Sequence, residues 1–190
     1  MTYKSMITIL TDETLIEPAL NAAIAMALAH DAHLDVLCMG VDRSQAGYYY
    51  AGATAVVLEQ SLGRARQEAA AIEAAARKIL QNSDVRWSCE ADMGQMIDLS
   101  RRIGARARFS DLAILPQPYG DGRGGDLEAT TEGCLFNAQL PVLTVPDGAK
   151  VPDRPAKILI GWNESAEAMS AVRAALPLLC AAHQVHVVVI

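Results

Sequence analysis

The stretch Asp111–Pro146, DLAILPQPYGDGRGGDLEATTEGCLFNAQLPVLTVP, decides how this chain is read. It opens on Leu112 to Leu115, a short continuous apolar run of the kind that forms a parallel strand buried on both faces. A turn follows that carries Gly120, Gly122, Gly124 and Gly125, then a short helical segment, then a second buried strand from Val142 to Val145. Glycines placed where a strand hands over to a helix lie at the carboxyl end of a sheet. Backbone N–H groups there can face an anion, which makes this loop the candidate binding site.

Toward the N-terminus the same grammar repeats. Met6 to Leu10 (MITIL) reads as a first strand closed by Thr11-Asp12-Glu13-Thr14. Pro18 suits the first turn of a helix, and Leu20, Ala23, Ile24, Ala27 and Leu28 fall at helical spacing. Leu34 to Val41 is the second strand, and Asp42 to Gly52 is a loop with Tyr48, Tyr49 and Tyr50 in a row. Those rings suit either stacking on a ligand or partner, or packing on neighbouring helices. A helix from Ala53 to Gln81 carries one apolar stripe: Val57, Leu58, Leu62, Ala65, Ile72, Ala76, Ile79 and Leu80.

Val85 to Ala91 alternates less cleanly, as a peripheral strand does. Asp92 reads as the cap of the next helix, with Met96, Ile97, Leu99 and Ile103 facing inward. Arg101, Arg102, Arg106 and Arg108 gather toward that helix's C-terminal end, either as a basic patch for an acidic partner or as a solvated face that complements the dipole. The expected fold is therefore α/β: an open five-stranded parallel sheet with helices on both faces.

Composition bounds the function. Apolar residues make up 52% of the 190 and aromatic residues only 5%, so Ala, Val, Ile and Leu build the core, as in helix-rich α/β packing. A net charge of −6 argues against binding nucleic acid or an anionic membrane surface. No apolar run approaches the roughly 18 residues of a membrane span, and the N-terminus enters a strand without the pattern of a signal peptide. A cytoplasmic location is expected. Cys38, Cys89, Cys134 and Cys180 lack CxxC or CxxH spacing and read as reduced thiols, Cys38 and Cys89 within strands. His30, His33, His183 and His186 form two i,i+3 pairs that no carboxylate or cysteine set completes, so no metal site is expected.

Asp147 to Ala156, with Gly148, Pro152 and Pro155, reads as a linker. After it the chain begins again. Lys157–Gly161 (KILIG) answers MITIL, Asn163-Glu164-Ser165 falls on Asp12-Glu13-Thr14, and Val185, Val187 and Val188 fall on Leu34, Val36 and Leu37 at an offset of 151 residues without a gap. The organisation expected is a complete domain over 1–146, a linker over 147–156, and over 157–190 the β-α-β opening of a second, incomplete copy.

These motifs, in this order, resemble the bacterial universal stress proteins of the tandem type. The carriers are ITILTDET, LCMGVD, DLAILP entering the glycine turn, LPVLTVP, and KILIGWNESAEAMSAVRAALPLL at the second opening. The resemblance implies a Rossmann-like domain of the adenine nucleotide alpha hydrolase type, a stress-response role, and pairing of domains through their last strands, in a homodimer or within one tandem chain. Some members bind ATP, with Mg²⁺, through a G-x2-G-x9-G-[ST] signature, an Asp after the first strand and a backbone contact after the second.

Carried onto this chain, that set is Asp12, Val41, Gly122 and Gly125. The signature departs at its third glycine, where Leu135 stands; Gly133-Cys134 is the nearest substitute, two residues early and without the hydroxyl. Asp121, Asp126 and Glu128 add negative charge where a triphosphate would sit. The expectation is a non-enzymatic regulatory or interaction module with a degenerate nucleotide site. The alternative is an ATP-binding regulator using the loop 120–134. Neither an SGGxDS loop nor an HxGH motif is present to support catalysis on this kind of fold.

Overall fold

The computed structural model describes residues 2–44, 54–149, 151–152 and 155–189. The three-tyrosine loop and the side chains of Val57 and Leu58 lie outside them. Five strands, β1 (Ser5–Leu10), β2 (His33–Asp42), β3 (Arg86–Gln95), β4 (Leu112–Pro116) and β5 (Val142–Val145), form one parallel sheet in the order β3-β2-β1-β4-β5. The expected open parallel sheet is present. Its order reverses at β1, so the crevice between the carboxyl ends of β1 and β4 is the topological switch point, where such sheets place ligands.

Alternation along the central strand assigns the two layers. Met6 and Leu10 point into a core with Leu34, Val36 and Cys38 that helices α1 (Ile16–His30) and α2 (Thr54–Leu80) cover with Leu20, Ala23, Ala27, Ile72, Ala76 and Leu80. Ile7 and Ile9 point the other way, with Leu37 and Met39. There α3 (Leu99–Ala107) supplies Leu99, Ile103 and Ala107, and Cys134 and Leu140 complete the layer. Helix α4 (Gly125–Glu132) runs into a π-helical turn, Gly133–Asn137. Asp111 fixes the chain's return to the centre: its carboxylate accepts from the N–H groups of Lys4 (2.7 Å) and Ser5 (3.0 Å).

Within the five-stranded sheet, three expectations need correction. Asp92 caps no helix; it lies within β3, opposite Met39, and its carboxylate pairs with Arg102 at 3.2 Å. The strand therefore runs on to Gln95, and a 3₁₀ turn at Met96–Asp98 leads into α3. That turn changes the angular step between residues, so Ile97 points outward at 88% exposure while Leu99 and Ile103 are fully buried. Finally, β5 is an edge strand with Thr144 exposed rather than a buried one, because only β4 flanks it.

After Pro146 comes a stretch without helix or strand among its described residues, and then a second parallel pair. Strands β6 (Lys157–Trp162) and β7 (Gln184–Val189) are joined by α5 (Ala166–Ala174) and α6 (Leu176–Ala181). A single helix was expected here. It breaks at Ala175–Leu176, just before Pro177, whose ring cannot continue the preceding hydrogen-bond ladder. The register also differs: partners are 28 residues apart in the first ladder (Met6 with Leu34) but 27 in the second (Lys157 with Gln184). The crossover is one residue shorter than a gapless repeat predicts. Local chemistry does repeat: Asp12 accepts from Thr14 N–H at 2.8 Å, and Asn163 from Ser165 N–H at 3.2 Å.

Candidate functional site

The carboxyl ends of β1, β2 and β4 bring three sequence-predicted segments to one rim, and the first two are internally committed. After β1, Asp12 Oδ1 accepts from both the N–H and the hydroxyl of Thr14, at 2.8 Å each, and so caps the 3₁₀ turn ahead of α1. At the end of β2, the Val41 N–H donates to Glu68 Oε2 at 3.3 Å, and its carbonyl accepts from Arg43 at 3.4 Å. Both backbone groups of Val41 are thereby occupied.

Arg43 is the hub of the rim, and the motif reading missed it. One guanidinium nitrogen meets Glu68 of α2 at 3.0 Å, and the other meets Asp126 in the first turn of α4 at 3.3 Å. The Asp126 side chain is only 6% exposed. A buried carboxylate needs a counter-charge, and Arg43 supplies it across the end of the sheet. Burial pulls the Arg43 pKa down, but the two carboxylates outweigh that, and it ends above its ordinary value. Beside it, burial pushes the Asp42 carboxyl up. Hydrogen bonds from the Ser44 and Ser61 hydroxyls and the Ser44 N–H overcome the burial and leave it below its ordinary value.

The glycine turn after β4 divides in two. Gly120 and Gly122 have φ of 130° and 75°, and a Cβ on either would meet nothing within 4 Å. This part of the loop is open and needs glycine for its backbone. Gly125 is the first residue of α4, and Arg123 turns back to pair with Asp147. Gly133 and Cys134 lie elsewhere. A Cβ on Gly133 would stand 2.7 Å from the Ser100 carbonyl oxygen, so this glycine lets the π-helical turn lie directly against α3. Cys134 is fully buried in the layer beneath α3, and burial pushes its thiol up to about 12.

The structure thus joins Val41 and the start of α4 through Arg43, leaves Gly120 and Gly122 on an open turn, and places Gly133 and Cys134 in a helix–helix contact. Beneath the rim, the Thr11 hydroxyl and Asp42 Oδ2 are buried without a hydrogen-bond partner among the described residues.

No family model and no curated protein matches the sequence. Solved structures do resemble the fold. Universal stress protein UspA from Lactobacillus plantarum aligns with a TM-score of 0.53 at 18% identity, over 76% of this chain and 99% of that one. A universal stress family protein from Burkholderia pseudomallei gives 0.48 at 18% identity, over 76% and 96%. A universal stress protein in complex with cAMP gives 0.39 at 17% identity, over 76% and 98%. The five-stranded unit has the fold of universal stress proteins. No helix among the described residues is long and apolar enough to cross a membrane.

Proposed function

We propose that this chain is a cytoplasmic universal stress protein of the tandem type. It acts as a regulatory interaction module rather than an enzyme, and its nucleotide position is filled by its own side chains. The observation that carries this reading is the Val41–Glu68–Arg43–Asp126 network. The backbone groups that would meet a base already have partners, and a buried carboxylate stands in the first turn of α4, where phosphates would need positive potential. Pairing through the outer edge of β5, with a second copy or a second domain, is the mode of association that the fold class suggests. The repeated Asx turn at Asn163 supports the tandem reading.

Titration calorimetry of the intact chain with ATP and Mg²⁺, and with AMP, tests this proposal. The expected result is no saturable heat up to millimolar nucleotide; micromolar binding overturns it. Two observations favour a second reading, that of an ATP-binding regulator using the loop 120–134: the turn at Gly120–Gly122 is open, and beneath the rim the buried Thr11 hydroxyl has no partner among the described residues.

A further inference from the structure

The first core layer contains a pair of nucleophiles with no role in the rim. Cys38 of β2 and Cys89 of β3 point to the same face of the sheet, and their sulfurs are 3.8 Å apart. They are diagonal neighbours, since Cys89 is opposite Val36 and Cys38 opposite Ala91. Cys38 is fully buried, whereas Cys89, on the edge strand, retains 7% exposure. Arg77 of α2 reaches over this edge. Its guanidinium donates to the Cys89 carbonyl and to Glu73, and stands 5.7 Å from the centre of the Trp87 ring.

We infer that Cys38 and Cys89 form a redox-active thiol pair that hydroperoxides convert to a cross-strand disulfide. Cys89 is assigned as the attacking sulfur because it lies on the edge strand and is the less deeply buried of the two, 7% exposed against none for Cys38. Its thiolate is favoured first by the hydrogen bond from the Cys38 thiol and then by the Arg77 charge, against the cost of burial, and its pKa lies below the ordinary thiol value. The Cys38 thiol is correspondingly held up by that same hydrogen bond and by burial, so it stays protonated until needed.

The Cys89 thiolate attacks one oxygen of hydrogen peroxide, the O–O bond breaks, and the departing hydroxide takes a proton to become water. This leaves a sulfenic acid on Cys89. The Cys38 sulfur then attacks the Cys89 sulfur; the S–O bond breaks, the S–S bond forms, and the thiol proton leaves with the hydroxide as a second water. Two thiols are oxidised by two electrons and one peroxide is reduced. Diagonal neighbours on adjacent parallel strands have Cα atoms about 8 Å apart, so closing the bond requires the edge strand β3 to shift toward β2, and the strained bond would be readily reduced again.

The test is peptide mapping of the full chain before and after a modest excess of hydrogen peroxide, with non-reducing digestion and dimedone trapping. Expected are a Cys38–Cys89 linked peptide, loss of two thiols from the interior, and reversal by dithiothreitol. A C38S variant, which keeps a hydroxyl to donate to Cys89 and is checked for folding by circular dichroism, should lose the cross-link and accumulate dimedone-trapped Cys89 at least tenfold over wild type. In C89A, Cys38 should remain a free thiol under the same treatment. Oxidation confined to the exposed Cys180, or overoxidation of Cys89 without any linked peptide in the wild type, overturns the proposal.

Discussion

Two parts of this chain start from nearly the same words and reach opposite ends. MITIL and KILIG both form strands, each paired in parallel to the strand that follows its helix. Ile9 of β1 is 1% exposed, whereas Ile160, its counterpart by sequence, is only half-buried, and every described residue of β7 is exposed. The strand pattern is equivalent; the company is not. Strand β1 has β2 and β4 on its edges and helices on both faces, while β6 has one partner strand and two short helices without a buried residue. Apolar periodicity states what a segment could bury, and neighbouring elements decide whether it does.

Truncating the matched isoleucines should give the largest difference between the two sheets. Ile9→Ala should lower unfolding stability by about 2–5 kcal/mol, the usual range for emptying a packed core site. Ile160→Ala should cost below about 1 kcal/mol by the same urea titration, because its site is already half open to solvent. Equal costs would mean that the second sheet is covered in solution.

The next effect concerns the rim of the ordered half. Arg43→Ala leaves Asp126 buried without its counter-charge, and thermal unfolding should show a loss of about 1–3 kcal/mol, reduced from the fully buried case because Arg43 is itself half exposed. Arg43→Lys should recover only part of it, since an ammonium cannot bridge two carboxylates as a guanidinium does.

A smaller effect tests the seam between the two parts. Tyr3 donates from its hydroxyl to the Ala174 carbonyl at 2.7 Å, and Leu178 and Val151 pack against the first core layer. Tyr3→Phe removes that one hydrogen bond, worth about 0.5–1.5 kcal/mol. Hydrogen exchange over 157–189 should accelerate by up to about tenfold while the five-stranded unit is unchanged.

The smallest effect is one of pH. His30 lies edge-on to the Tyr3 ring, and burial holds its pKa below the ordinary value. Burial of the ring beside Tyr3 favours neutral imidazole. Its contribution is full above the ordinary histidine pKa of about 6.5 and declines as pH falls through that value toward the folded one. Exchange over 157–189 should therefore quicken on acidification to pH 5.5, and His30→Gln should flatten that dependence.

Much of the sheet was legible because each strand is a compact apolar run with glycine, proline or acidic punctuation. The errors share a cause. Asp92 has the identity of a cap, but Arg102, ten residues on, makes it tolerable inside a strand. Ile97 has the spacing of a core residue, but a 3₁₀ turn moved it to the outside. At the rim, glycine spacing identified candidates without saying what each one faces. Gly133 answers to α3, a contact that only the folded chain displays. The Arg43 hub is hidden for a different reason: its partners lie 25 and 83 residues away, so no local motif contains it.

The Asp111 clamp on Lys4 and Ser5 has a bearing on how the chain is made. The middle strand of the sheet is the first to be synthesised, yet its second neighbour is pinned to it by a residue 106 to 107 positions later. At roughly 5–20 residues per second, a ribosome leaves one edge of β1 bare for roughly 5–20 seconds. During that interval β1, α1, β2, α2 and β3 can assemble as a half-sheet whose open side is its most hydrophobic strand. Such an edge is a template for mispairing, so the yield of native protein should depend more on translation speed and chaperone supply before residue 112 than on anything encoded after it.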